Sequence, residues 1–142
     1  MIAVDTNVLI YAHRGETEFH DRAVSQLRFL AAGAERWALP VFCVTEFMRV
    51  VTHKRVFSPP SSIAQAAAFI EGLVAAPTCE VVRPGGAFID RLLAAAHEAD
   101  ACGNLMFDAQ IVALCREHGV DEVLTNDRDF ERFDGLRMRR LD

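Results

Sequence analysis

Residues 2–7 read Ile-Ala-Val-Asp-Thr-Asn: a short apolar run that stops at an acid, Asp5, and passes at once into a helical pattern from Asn7 to Arg14. An ionised carboxylate beside apolar side chains costs on the order of several kcal/mol unless a cation or hydrogen bonds compensate. The same situation recurs three times. Glu46 interrupts VTEFMRV (44–50), Asp108 interrupts LMFDAQIVAL (105–114), and Asp127 follows the apolar run in EVLTNDRDF (122–130). Four such costs point to one shared cation site.

Working outward from residues 2–7, short apolar runs alternate with helical patterns. IAVD (2–5), RWAL (36–39), CEVV (79–82), EVLT (122–125) and LRMRRL (136–141) are strand candidates. Helices are expected over Asn7–Arg14, His20–Ala32, Val41–His53, Ile63–Val74, Gly86–Ala99 and Asn104–His118. Alternation of this kind suggests an α/β fold on a parallel sheet. Ser58-Pro59-Pro60-Ser61-Ser62 breaks the chain into a turn, with Ser61 or Ser62 as the N-cap of the next helix. No internal repeat interrupts the pattern, and 142 residues suit one domain, 1–142, around one core.

Composition narrows the function classes. A hydrophobic share of 51% with 25% charged residues belongs to a folding chain rather than a disordered one. The start, MIAVDTNVLIYAH, lacks a basic region and holds Asp5 within its apolar stretch, so it does not read as a secretory signal. Ile63 to Ala76 is the longest apolar stretch, and it is too short and too interrupted to span a bilayer. A cytoplasmic protein with no membrane partner is expected. Cys43, Cys79, Cys102 and Cys115 have no CxxC spacing, and the reading is reduced core thiols. The net charge of −5 argues at first against nucleic acid, yet the four acids supply −4 of it and the remainder is −1. Arg49, His53, Lys54 and Arg55 form one basic cluster, and Arg128, Arg132, Arg137, Arg139 and Arg140 another. Either could be a solvated surface or an RNA track.

In a parallel α/β sheet, ligands bind outside the carboxyl ends of the strands, where strand order reverses. Asp5 and Asp127 each close a strand candidate, and neighbouring strands lie about 4.8 Å apart, so the two could share an ion if their strands pair. Glu46 lies mid-helix on a stripe with Phe42, Cys43 and Val50, a face expected to turn inward. Asp108 opens a helix that is apolar on nearly every side and should be buried, its N-terminus facing a cleft. Phe107 is expected in the core. Each acid also has an ordinary structural role open to it. Asp5 could cap a helix, Asp108 could face a helix dipole, Glu46 could pair with Arg49, and Asp127 could serve a turn. Four such coincidences are less economical than one site. Carboxylates suit Mg²⁺, with Mn²⁺ as a substitute, whereas the five histidines show no zinc-binding spacing. Hard ions held this way support phosphodiester hydrolysis by an activated water.

VDTNVLIYA at the start, TEFMRVVTHKRVF in the middle, the FDAQIVALCREHG helix and the closing VLTNDRDFERFDGLR together resemble the PIN-domain ribonucleases, in particular the VapC-type toxins of toxin–antitoxin pairs. The resemblance covers most of the chain. It implies a three-layer sandwich with a central five-stranded parallel sheet between helices. It implies Asp5, Glu46, Asp108 and Asp127 as catalytic, metal-binding acids, with Asp129 in reserve for the fourth place, and Thr6, Asn7 and Thr125 in support. It further implies cleavage of structured RNA such as tRNA or rRNA, leaving a 5′-phosphate and a 3′-hydroxyl. A cognate antitoxin and a homodimer are the implied partners. Arg49, Arg55 and Arg128 are candidate RNA contacts.

Three other readings compete. A haloacid-dehalogenase phosphatase needs a second Asp two residues after the first, where this chain has Asn7. A response-regulator receiver needs an acceptor Asp at a middle strand and a later Lys, and neither CEVVRP nor EVLTND supplies them. A catalytically silent PIN-fold binding protein, acting only through an antitoxin or other partner, would be favoured by loss of an acid, and all four are present.

Overall fold

A computed structural model describes residues 1–142. The chain runs β1 (Ile2–Val4), α1 (Thr6–His13), α2 (His20–Ala32), β2 (Trp37–Pro40), α3 (Val41–Val51), α4 (Ile63–Val74), β3 (Cys79–Val82), α5 (Phe88–Glu98), α6 (Leu105–Glu117), β4 (Glu122–Leu124), a 3₁₀ helix (Arg128–Arg132) and β5 (Arg137–Arg139). The five strands form one sheet in the order β3-β2-β1-β4-β5, and every neighbouring pair is parallel. This is the expected α/β architecture with its central five-stranded parallel sheet.

Strand order determines where the helices go. From β1 the chain steps to β2 and on to β3 in one direction, then jumps across the sheet to β4 and β5. Crossovers between parallel strands are right-handed, so the reversal puts α1–α4 on one face and α5–α6 on the other. The packing agrees: α1 lies against α2 and α3, α3 against α4, and α5 against α6. With both faces covered, the central strands need no polar alternation. Every residue of β1 and β2 is buried, and Ile2 sits opposite Trp37 on one side and Glu122 on the other.

A single contiguous cluster of buried side chains runs through the sheet and both helical layers, with Trp37, Phe47 and Phe130 among its largest fully buried members. α6 belongs to it almost all round, from Leu105 through Ala109 to the run Ile111–Cys115. Gly119, at φ +69°, follows its last turn in the left-handed conformation that only glycine adopts without strain. The connection after α3 is fastened rather than loose. Ser61 Oγ lies 2.8 Å from His13 Nε2 and accepts from Arg14 at 3.0 Å, and Ser62 forms a capping box with Gln65 at the start of α4.

Three details differ from the sequence reading. α3 ends at Val51 rather than His53, because the chain turns there towards the anchored Ser61, whose N–H donates to the Val51 carbonyl. Arg128–Arg132, for which the sequence predicts no element beyond a turn role open to Asp127, is a 3₁₀ helix pinned by the buried Phe130. Cys43 and Cys115 are buried free thiols as expected, but Cys102 is exposed in the turn before α6, and Cys79 is only partly buried. No helix is long and apolar enough to cross a membrane.

Candidate active site

β1 and β4 are neighbours at the place where strand order reverses, so the residues just past their ends stand side by side. Asp5 donates its backbone N–H to the Leu124 carbonyl at 3.1 Å, which extends the ladder by one step and puts Asp5 beside Thr125. Thr125 Oγ1 donates to Asp5 Oδ2 at 2.7 Å, and the Thr6 N–H donates to Asp5 Oδ1 at 2.7 Å as the carboxylate caps α1. The Cys43 thiol lies 3.9 Å from the same Oδ1. Thr125 is fully buried and organises more than Asp5. Its Oγ1 also accepts from Asn7 Nδ2 at 3.2 Å and from the Asp127 N–H at 2.9 Å. Thr6, Asn7 and Thr125 therefore join the acids in one hydrogen-bonded unit. Asn7 Oδ1, in contrast, is buried without a partner at the edge of the same cleft.

Asp127 turns the chain into the 3₁₀ helix by accepting from the Asp129 N–H at 2.9 Å. That turn points Asp129 back towards α6. Carboxylate oxygens of Asp108, Asp127 and Asp129 lie within 4.8 Å of one another, so the structure gathers both acids between which the sequence left a choice. Asp5, Glu46, Asp108, Asp127 and Asp129 all line one cleft of about 490 Å³, together with Phe42, Phe107 and Ile111.

The acids resist ionisation where they stand. Burial, opposed by the bonds from Thr125 and Thr6 and aided by the charge of Asp127, raises Asp5 to about 6. Asp108 rises to about 7 through burial and through repulsion from Asp127, Asp5 and Asp129. An all-oxygen donor set, two carboxyls pushed up in this way and the unpartnered Asn7 oxygen together fit a hard divalent cation. They do not fit zinc: the nearest thiol, Cys43, is held neutral by burial and by the Asp5 charge.

Glu46 lies on a different face from the one expected, and it makes the pairing with Arg49 that the sequence left open to it. α3 buries Cys43, Phe47 and Val51, while Phe42, Glu46 and Val50 face the cleft rather than the interior. Both Glu46 oxygens are engaged by Arg49, at 2.5 Å through Nη2 and 3.2 Å through Nε. Phe107 corrects the sequence reading outright. It is 59% exposed at the cleft wall, because the apolar surroundings of α6 are used up by its other faces. Asn104, Phe107, Asp108 and Ile111 follow helical i, i+3, i+4, i+7 spacing, which would have placed all four on the cleft once Asp108 was assigned there. Of the candidate RNA contacts, Arg55 and Arg128 are exposed and Arg49 is paired to Glu46. Much of the terminal basic cluster is neutralised: Arg137 pairs with Asp121, Arg139 with Glu122, and Arg140 with Asp142.

Comparison with known proteins agrees with this fold. Residues 2–136 match the PIN domain family. The chain belongs to that family, and within it to the VapC-type ribonucleases. The ribonuclease VapC43 of Mycobacterium tuberculosis is 38% identical over 139 residues, spanning 98% of this chain and 94% of the relative. Ribonuclease VapC25 of the same organism is 36% identical, with 96% of each covered. Among solved structures, VapBC2 of Rickettsia felis bound to a promoter DNA fragment superposes with a TM-score of 0.73 over the whole of both chains at 18% identity. VapC20 of Mycobacterium tuberculosis, a Sarcin-Ricin loop cleaving toxin, gives 0.69 over 92% of this chain and 93% of that one at 15% identity.

Proposed function

We propose that the chain is a Mg²⁺-dependent endoribonuclease, the toxin of a type II toxin–antitoxin pair, and that it cuts structured RNA such as tRNA or rRNA. The observation that carries this reading is the convergence of Asp5, Asp108, Asp127 and Asp129 on one cleft, two of them raised far above ordinary carboxyls. Asp5, Glu46, Asp108 and Asp127 are the proposed ligands, with Asp129 alongside. A bound divalent ion supplies Lewis-acid polarisation of the phosphodiester and makes water a competent nucleophile near neutral pH. The protein's own part is preorganisation. Thr125 and the Thr6 amide fix the Asp5 carboxylate, Asn7 fixes Thr125, and Asp127 completes the acid set or orients the attacking water. No side-chain nucleophile is needed. Mn²⁺ should substitute for Mg²⁺.

Arg55 and Arg128, both exposed, are proposed to meet the RNA backbone beside the cleft. Replacing either should weaken RNA binding irrespective of sequence and flatten its salt dependence by about 0.7–0.9 in log–log slope; an unchanged slope would remove it from the interface. One structural neighbour is a toxin–antitoxin complex of Klebsiella pneumoniae. By analogy an antitoxin segment, bearing an Arg towards the acids, is proposed to mask this cleft. The chain is further proposed to work in the cytoplasm as one domain, 1–142, and as a homodimer. The test is incubation of partner-free protein with total tRNA and rRNA in Mg²⁺, Mn²⁺ or EDTA, beside an Asp5→Asn control. Metal-dependent cleavage absent from the control supports the reading. Folded protein that binds metal and leaves every RNA intact would turn it towards a binding role.

A further inference from the structure

The Glu46–Arg49 pair is the one place where an acid of the cleft is already matched to a cation of the chain itself. Asp108, Asp127 and Asp129 crowd together uncompensated, whereas Glu46 presents both oxygens to one guanidinium. A carboxylate held at 2.5 Å and 3.2 Å by the same Arg has one acceptor direction on each oxygen occupied and its charge partly neutralised, so that pairing competes with its joining the other acids around an ion. Yet the clasp is easily opened. Arg49 is 62% exposed and Glu46 36% exposed, and an ion pair so open to water is worth at most about a fivefold preference. Arg49 also sits in the last turn of α3, where the helix dipole continues to favour its charge after the pair opens.

Resting on the proposed metal-dependent nuclease reading, we infer that Arg49 is a positioning residue that exchanges partners: it holds Glu46 while the site lacks a cation, and hands it over when a divalent ion arrives, becoming free to bind a phosphate of the RNA. Without Arg49, Glu46 would add a further uncompensated negative charge to a cleft that already repels its own acids. With it, Glu46 is kept in place, and RNA affinity is tied to metal occupancy. Arg49 does not itself line the cleft but lies one turn of α3 beyond Glu46, followed in the chain by the exposed basic residues His53, Lys54 and Arg55.

The exchange is tested by Mn²⁺ titration of the whole, RNA-free protein in a double-mutant cycle. Arg49→Ala should bind Mn²⁺ about two- to fivefold more tightly than the natural protein, because the competitor for Glu46 is gone. In a Glu46→Gln background the same substitution should change Mn²⁺ affinity by less than about 1.5-fold, since no pair remains to break. A gain of equal size in both backgrounds would mean that Arg49 acts only through its long-range charge, and would overturn the exchange. The second arm measures binding of a short RNA oligonucleotide that is not cut on the timescale of the titration. Arg49→Ala should lower the salt slope by about 0.7 in Mg²⁺ and leave it unchanged in EDTA. Equal effects in both buffers would also overturn the proposal. Natural protein that binds no Mn²⁺ at all would instead sink the metal-dependent reading beneath it.

Discussion

Asp5 shows how a single residue can be costly to the fold and necessary to the site. It is buried between β1 and α1, and although three donors reach it, burial still raises it from 3.8 to about 6. Between those values the folded protein holds a proton that the unfolded chain has lost, so stability falls as pH rises from about 4 to about 6 and the penalty is complete above that. The full span corresponds to about 3 kcal/mol, an upper figure for the metal-free protein. Asp108, partly buried and raised to about 7, adds a contribution of the same sign that persists to neutral pH. Urea unfolding in EDTA should therefore give lower stability at pH 7.5 than at pH 5, with Asp5→Asn flattening the difference and Mg²⁺ restoring stability at the higher pH. An identical pH profile in Asp5→Asn would show that the buried carboxyl is not its source. Much of this was legible in the sequence, because an acid closing an apolar run is a conspicuous anomaly. The donors were not, since the Thr125 contact joins residues 120 positions apart and depends on β1 pairing with β4.

At the scale of elements, the strands and helices were readable because each carries its own signal: short apolar runs for the strands, helical spacing for α1 to α6, and side-chain caps at α1 and α4. His20–Ala32 and Ile63–Val74 match the sequence reading at both ends, the second because Ser62 and Gln65 form a capping box. Periodicity fails where it is saturated. α6 is apolar on nearly every side, so apolar periodicity alone does not distinguish the face that meets the core from the face that meets the cleft, and only spacing from Asp108 puts Phe107 on the cleft. Phe107→Ala should accordingly alter folding stability by no more than about 0.5 kcal/mol. Phe47→Ala, in a fully buried position of α3, should cost about 3–5 kcal/mol. Chemical denaturation of the two variants checks this, and comparable losses would return Phe107 to the core. The short 3₁₀ helix was hidden for another reason: Asp127 and Asn126 carry turn signals equally compatible with an open loop, and only the burial of Phe130 selects the tighter form.

For the whole molecule, the reversal of strand order at β1 and β4 explains why residues from both ends of the chain share one cleft, and why the acids come from four separate elements or their edges. Acids without a basic partner gather at that cleft, while Arg137 and Arg139 of β5 are tied up in ion pairs with Asp121 and Glu122. Apolar side chains remain uncovered elsewhere: Ile63 and Val74 on α4, and Ile89 and Leu93 one turn apart on α5. If α5 supplies the surface of the proposed homodimer, sedimentation should give a dimer for the natural protein and a monomer for Ile89→Glu combined with Leu93→Glu; a natural protein that is already monomeric at tens of micromolar (~) would end that proposal. The claim on which the account turns is that the clustered acids hold a divalent ion. Crystals grown with Mn²⁺ and measured for anomalous scattering test it directly. The account predicts a peak among Asp5, Asp108 and Asp127, with Glu46 swung from Arg49 towards it. Mn²⁺ bound only at other carboxylates, with this cleft empty in crystals that hold the ion elsewhere, would contradict it.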